Sequence, residues 1–461
     1  MRGMTTHERK YSLVPRPVAA VHSRYRHIVT QLPVPESVPL LEELERLEPS
    51  SMQGQPPMLI DRSEGWQVHD RWGNTWLDWS SGVLISNVGN SSPVIVAAIR
   101  EMLERPLLST YVFAHEKRLE LVRLLNGLAP SPDYKTFLLT TGSEATENCI
   151  KLARTWGQRA RGPDCRYFVT FQNGFHGRTM GAQLAGGSPG GKKWLGTPDP
   201  TFVQVPFPDG YKNTDTRFEL FLETLAAKGI HASQVCGVMS ESYQGVGPDF
   251  MPAEYARSLA AWCSANQVLL VMDEVQSGFC RTGEWFAYQH YGITPDLIAC
   301  GKGISSSLPL SAVIGRPDVM ELYPPGSMTS THSGSPLPVA AAVANILELK
   351  KGRYLENART MDPVLRSGLQ ALQARHRRQA GCVQSRGLVA GIQVVQPGTR
   401  TPDARAALAV NEACFRKGLL MFAPVGVAGE CIKIAPPLDI SRDALEEGIS
   451  VLGEAMDEVL A

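Results

Sequence analysis

Two acids close an apolar run in Leu269-Leu270-Val271-Met272-Asp273-Glu274. Such a run reads as a buried parallel strand, and both carboxylates then lie at its C-terminal end, the edge where open α/β sheets bind ligands. The plain alternative is a strand end with solvated acids. Two chemistries compete for a functional acid at such a position. In one, the acid organises magnesium for a nucleoside triphosphatase, which also requires a phosphate loop of the form G-x-x-x-x-G-K-[ST]. The nearest segment runs from Gly186 to Gly191-Lys192, but Lys193 follows instead of Ser or Thr, and no obvious helix opens there. The metal-binding hydroxyl and the helix N-terminus are both missing.

The second chemistry needs a lysine amine and a phosphate cradle besides the acid. Lys302 stands between Gly301 and Gly303, after the apolar run Leu297–Cys300. Flanking glycines let the backbone approach a cofactor closely, although a lone lysine is more often a solvated surface group. Thr140-Thr141-Gly142-Ser143-Glu144-Ala145 joins an expected strand to an expected helix. Backbone N–H groups and a serine hydroxyl at a helix N-terminus bind phosphate; the plain alternative is a Ser N-cap with an acid in the first turn. Phe175-His176-Gly177-Arg178-Thr179 follows the strand-like YFVTF. An aromatic there can stack on a cofactor ring, and Arg178 can hold a carboxylate in a bidentate fork. The alternative is a loop aromatic over the core and a solvated arginine. The set suits pyridoxal 5'-phosphate, with Asp273 keeping the pyridine nitrogen protonated so that the ring withdraws electrons from a substrate carbanion.

The elements that must position these groups alternate. Strands are expected at Tyr134–Thr140, Tyr167–Phe171, Thr201–Val205, Val235–Ser240 and Val268–Asp273. Helices fit at Ser143–Ala160, Glu219–Lys228 and Ala253–Asn266. That alternation implies βαβ units and an α/β fold whose mostly parallel central sheet carries helices on both faces. Trp66–Trp79 reads as a β-hairpin around Gly73-Asn74, Val38–Leu47 and Pro93–Leu108 as helices, and Gly186–Lys193 and Pro324–Pro336 as loops. Residues 352–461 read as a smaller α+β lobe. The expected division is an N-terminal segment 1–108 that contributes to the small lobe, a large cofactor-binding domain 109–339, and a C-terminal small domain 340–461.

Composition narrows the class. The 461 residues carry 45 basic and 45 acidic side chains. A neutral chain has no overall electrostatic footprint for nucleic acid or an anionic membrane, and no window reaches the ~18 apolar residues of a transmembrane helix. The polar start has no apolar signal core. Nine cysteines without a C-x-x-C pair, and ten histidines without H-x-x-x-H, point to a cytoplasmic protein with reduced thiols and no metal site.

The motifs, in order, are LDWSSG, TTGSEATENCIKLAR, GFHGRT, ESYQGVGP, LLVMDEVQSGFCRTGEWFA, PDLIACGKGISSSLPLSAVIGR, STHSGSP, RGLVAGIQ and IAPPLDIS. Across roughly residues 55–455 the chain resembles the class III, or ω-, aminotransferases of the fold-type I pyridoxal-phosphate enzymes. The resemblance implies Lys302 as the Schiff-base lysine and Asp273 as the pyridinium partner. It implies Gly142 and Ser143 at the phosphate, Phe175 and Val275 on the two ring faces, and Gln276 near the ring hydroxyl. His176 falls in the same cofactor-binding segment, and Glu241 matches an acid that supports the Asp273 region. Thr331 matches a threonine that reaches the phosphate of a neighbouring subunit, which implies a homodimer with shared active sites. The activity implied is transfer of an amino group from a small amino donor to a carbonyl acceptor.

Departures fall where substrates are chosen. Lys433 stands where relatives that handle glutamate carry an arginine for the α-carboxylate; a solvated lysine at a strand end is the alternative. Val246 replaces a gating glutamate, Val83 a bulky aromatic and Asn90 a histidine. The spellings STHSGSPL and KIAPPL are similar to aminotransferases of aminoglycoside antibiotic biosynthesis, which act on an oxidised carbon of an aminosugar. Amino-acid or diamine substrates compete, and epimerases or mutases on the same fold use the same residues without net transfer. The expected substrate contacts are Arg178, Val83 and Lys433, with glutamate as the donor.

Overall fold

The computed structural model describes residues 11–460. Two compact units divide the chain: Pro93–Leu355 is one, and the other joins the chain up to Ser92 with the chain from Glu356 onward.

The first unit is built on seven strands, β1 (Lys135–Leu139), β2 (Tyr167–Phe171), β3 (Phe202–Val205), β4 (Val235–Glu241), β5 (Leu269–Asp273), β6 (Leu297–Cys300) and β7 (Ser311–Gly315). They lie side by side in the order β1-β7-β6-β5-β4-β2-β3. All neighbours pair in parallel except β7, which is antiparallel to both β1 and β6. Every residue of β4, β5, β6 and β7 is buried, which is why they read as continuous apolar runs rather than alternating ones. β7 was not anticipated as a strand: it is five residues long, follows Pro309 and has no helix before it to mark a crossover.

The helix Gly142–Arg161 packs its Ala145, Cys149, Leu152 and Ala153 against Leu269 and Val271 of β5, Ala299 of β6 and Val313 of β7. Leu270 and Met272 point to the opposite face, where Ala253–Ala265 packs on β5. Register then decides the chemistry. Asp273 lies opposite Glu241 of β4 and Ala299 of β6, and Cys300 and Leu139 both abut the start of β7, at Ala312 and Ser311. Glu241, Asp273, the turn after Cys300 and the turn after Leu139 therefore leave one edge of the sheet.

The unit boundaries differ from the expected 108/109 and 339/340. Helix Pro336–Lys350 packs along Pro93–Glu104 and against Glu116–Asn126, so both flanking helices belong to the sheet unit. The loop expectation for Gly186–Lys193 is also adjusted, since Gly190–Leu195 forms a 3-10 helix and Met180–Ala185 an α-helix before it.

In the second unit the hairpin forms as expected, with Val68 opposite Trp76. Trp76 stacks on Phe415 at 5.4 Å in a core with Ile28, Leu32 and Val68. The same unit holds a three-stranded antiparallel sheet, Ala380–Arg386, Val389–Val394 and Cys431–Ile434, and the helices Val38–Leu47, Ala404–Arg416 and Arg442–Val459, with most of the helix Arg353–Arg375. No helix among the described residues is long and apolar enough to cross a membrane.

Candidate active site

At that sheet edge a cavity of about 150 Å³ is lined by Thr141, Gly142, Ser143, Phe175, His176, Gly177, Glu241, Asp273, Val275, Gln276 and Lys302. Five chain segments, distant in sequence, meet there because their strands end in register.

The two acids of the DE pair part company. Successive strand residues point to opposite faces, so neither is the solvated acid of the plain reading. Asp273 faces the cavity, 4% exposed. Its Oδ2 lies 2.8 Å from Nδ1 of the buried His176, and its Oδ1 accepts from the Val275 N–H. Glu274 is fully buried on the other side and accepts from Ser242, Ser277 and the N–H groups of Ala287 and Tyr288. It is a structural pin for the segment after β5. Burial pushes the Glu274 carboxyl above its ordinary value, against those four donors.

Burial drives the His176 imidazole toward neutrality, but the hydrogen bond and charge of Asp273, with Glu241, outweigh it, and its pKa stands above the ordinary value. Glu241 accepts from the N–H groups of Phe175 and Gly245. Burial raises its carboxyl to about 7, against the opposing charge of His176. A Cβ at Gly245 would lie 2.4 Å from Nε2 of Gln276 and 2.9 Å from Oε1 of Glu241, so a larger residue there would displace these two side chains.

Lys302 opens a 3-10 turn with a left-handed φ of 43°. A non-glycine residue in that region carries strain of about 1–3 kcal/mol and persists where its surroundings over-determine it. Here Asn345 does so: its Nδ2 donates to the carbonyls of Gly303 and Ile304, and its Oδ1 accepts from Ser306. Asn345 lies in the almost wholly buried helix Pro336–Lys350, and nothing in the local sequence marks it as a support of Lys302. Burial lowers the Lys302 amine below its ordinary value, against the pull of Asp273 and Glu241.

The helix Gly142–Arg161 begins with a capping box. Thr141 Oγ1 accepts from the Glu144 N–H, and Glu144 Oε2 accepts from the N–H groups of Thr140 and Thr141. The N–H groups of Gly142 and Ser143 have no acceptor among the described residues. A Cβ at Gly142 would stand 2.7 Å from Cγ1 of Val275. The donor set therefore fits pyridoxal 5'-phosphate: two open N–H groups and the Ser143 hydroxyl at a helix N-terminus for a phosphate, a fixed carboxylate for a ring nitrogen, and a buried amine beside both.

The remaining expected residues are not brought into this cavity. Thr331 is exposed on the loop before Pro336. Arg178 is also exposed; its N–H donates to Ser143 Oγ, and its guanidinium lies 5.6 Å from the Phe175 ring centroid. Val246 is half-buried just past Gly245. Val83, Asn90 and Lys433 belong to the other unit. Lys433 is 1% exposed within Cys431–Ile434, opposite Gly391, which removes the solvated-lysine alternative. Asn90 donates to Asp78.

The family model for Aminotransferase class-III matches residues 50–456. A 4-aminobutyrate aminotransferase of Mycobacterium leprae is 31% identical over 446 residues, covering 94% of this chain and 98% of that protein. An acetylornithine aminotransferase of Caldanaerobacter subterraneus is 30% identical over 405 residues, covering 87% and 95%. An (S)-enantioselective ω-transaminase from Thermomicrobium roseum superposes with a TM-score of 0.82 at 27% identity, covering 92% of this chain and 99% of its own. With the cavity at its sheet edge and relatives matched over nearly their full length, the chain belongs to the class-III aminotransferases, enzymes that depend on pyridoxal 5'-phosphate.

Proposed function

We propose that the protein moves an amino group from an amino-acid donor, glutamate, to an aldehyde or ketone acceptor, with Lys302 as the covalent anchor of the cofactor and Asp273 as its ring-nitrogen partner. The observation that carries this reading is the convergence of Lys302, Asp273 and the open N–H groups of Gly142 and Ser143 on one buried cavity. When bound, pyridoxal 5'-phosphate supplies a ring that withdraws electrons from the carbon bearing the amino group. Asp273, held by His176, presents a fixed negative charge toward the pyridine nitrogen. Gly142, Ser143 and the Ser143 hydroxyl take the phosphate, while Phe175 and Val275 confine the ring. Lys302 Nζ would take the proton from the donor's α-carbon and hand it to the cofactor's C4′ carbon, and the burial that lowers its pKa favours the neutral amine this needs. Val275, Gln276 and Glu241 complete the lining, and Thr331 serves the phosphate of a second subunit in a cytoplasmic homodimer.

Arg178 is proposed for the distal carboxylate of glutamate, because a guanidinium fork matches a carboxylate bidentately. Val246 in place of a gating acid and the small Val83 favour a bulky neutral or cationic partner over a second dicarboxylate, and an oxidised aminosugar of an antibiotic pathway fits that description. Lys433 enters the reading through its motif position alone. A second reading has support in the relatives' names: 4-aminobutyrate and acetylornithine carry the amine on a terminal carbon, so an ω-amino acid is the competing substrate. A donor and acceptor screen on purified protein, read by mass spectrometry, tests both. Release of 2-oxoglutarate from glutamate with amination of an aminosugar aldehyde supports the first. Turnover confined to ω-amino acids replaces it with the second, and racemised substrate without keto-acid release refutes transfer altogether.

A further inference from the structure

Thr329–Ser335 is a loop without regular structure, yet it is tied down along its length. The Tyr111 hydroxyl lies 2.9 Å from that of Thr329. Ser333 Oγ donates to the Leu138 carbonyl at 2.6 Å. His115 Nδ1 accepts from the Arg118 N–H, so its Nε2 carries the proton and donates to the Gly334 carbonyl at 2.7 Å. Ser330 Oγ donates to Glu144 Oε1 at 3.3 Å. Thr331 and His332, between these ties, are exposed. A loop pinned on both sides of two outward side chains presents them to something outside its own cavity.

The tie through Ser330 is of a different kind from the others. Its acceptor is the carboxylate whose other oxygen holds the N–H groups of Thr140 and Thr141 at the entrance of the helix Gly142–Arg161. One carboxylate thus joins the first turn that carries Gly142 and Ser143 to the residue next to Thr331. We propose that Glu144 is a positioning residue for two cofactor phosphates at once, that of its own subunit through the helix cap and that of the partner subunit through Ser330 and Thr331. This rests on the shared-site homodimer of the preceding reading.

The physical consequence is coupling. A phosphate on the Gly142 and Ser143 N–H groups immobilises the turn on which Glu144 stands. At 3.3 Å the bond to Ser330 is longer than a strong charge-assisted one, but it is the link by which a fixed Glu144 narrows the positions open to Ser330, and the backbone direction of Thr331 follows one residue later. The second phosphate then meets an ordered donor and loses less conformational freedom on binding, which makes the two sites cooperative and reciprocally so.

The test is a titration of the cofactor-free protein with pyridoxal 5'-phosphate, followed by visible absorbance and by quenching of tryptophan fluorescence, with sedimentation on the same samples. The wild type is expected to be a dimer whose second equivalent binds more tightly than its first. Ser330→Ala leaves the hold of Glu144 on Thr140 and Thr141 intact; it should make the two steps equal and weaken binding by about three- to tenfold. Ser330→Thr, which restores the hydroxyl, should return both properties. Independent sites in the wild type, or unchanged cooperativity in Ser330→Ala, would overturn the coupling alone, provided that Thr331→Ala still weakens uptake in a dimer. A monomer, or a dimer in which Thr331→Ala has no effect, would overturn the shared-site reading and the coupling with it.

Discussion

Asp273 and Glu241 lie opposite each other on neighbouring strands but have different partners. Asp273 has His176 at 2.8 Å; Glu241 has two backbone N–H groups and a carboxyl raised to about 7. Replacing Asp273 with Asn removes the charge meant for the ring nitrogen, and turnover should fall at least about a hundredfold, near 2.7 kcal/mol in barrier; turnover near that of the wild type would mean that Asp273 does not face the ring. For Glu241 the sign runs the other way from a paired surface acid. Its folded pKa is raised, so the folded state holds the proton between about 4.5 and 7 where the unfolded chain has lost it, and that stabilisation disappears as pH rises through this window. Glu241→Gln is fixed in the neutral state. The stability of the variant relative to the wild type, from urea midpoints of cofactor-free protein, should therefore climb between pH 4.5 and 7, on top of a constant loss from the missing acceptor. A flat difference would place the Glu241 proton elsewhere. Residue type and neighbours mark Lys302, Asp273, Gly142 and Ser143 as candidates, and the structure brings all four to one cavity. The opposite fates of Asp273 and Glu274 follow from strand alternation, and the contact between His176 and Asp273 spans 97 residues, which no local pattern reports.

The elements explain why those contacts occur. β4, β5 and β6 are short buried runs whose parallel register brings their C-terminal ends to one edge, and the apolar runs announced most of them. β7 escaped because an antiparallel strand of five residues after a proline carries no crossover signal. Asn345 escaped because it sits in the apolar stretch Ala341–Ile346, where a single polar side chain has no partner visible in sequence. Its three hydrogen bonds hold the strained turn of Lys302. Asn345→Ala leaves the carbonyls of Gly303 and Ile304 buried without this donor and should cost about 2–4 kcal/mol of stability. It should also lower kcat more than it raises KM, because the turn beneath the Lys302 amine loosens while the substrate contacts stay. A variant with wild-type urea midpoint and kcat would show that the turn stands without Asn345.

At the scale of the whole chain, both units contain segments distant in sequence, and the helices Pro93–Glu104 and Pro336–Lys350 fall with the sheet because they pack on each other. Such pairing lies beyond any window of local periodicity, which is why the expected boundaries, 108/109 and 339/340, differ from the observed 92/93 and 355/356 by 16 residues on either side. The chain is neutral overall, and no helix among the described residues is long and apolar enough to cross a membrane. The reading stands or falls on whether the cavity of Pro93–Leu355 holds pyridoxal 5'-phosphate covalently on Lys302. The direct test is borohydride reduction of the holoprotein, proteolysis, and mass spectrometry of the labelled peptide. A single pyridoxyl group is expected on Lys302, in the peptide that contains Cys300-Gly301-Lys302-Gly303, and no such adduct in Lys302→Ala. A pyridoxyl group on Lys192, Lys433 or any other lysine of the wild-type protein would contradict it.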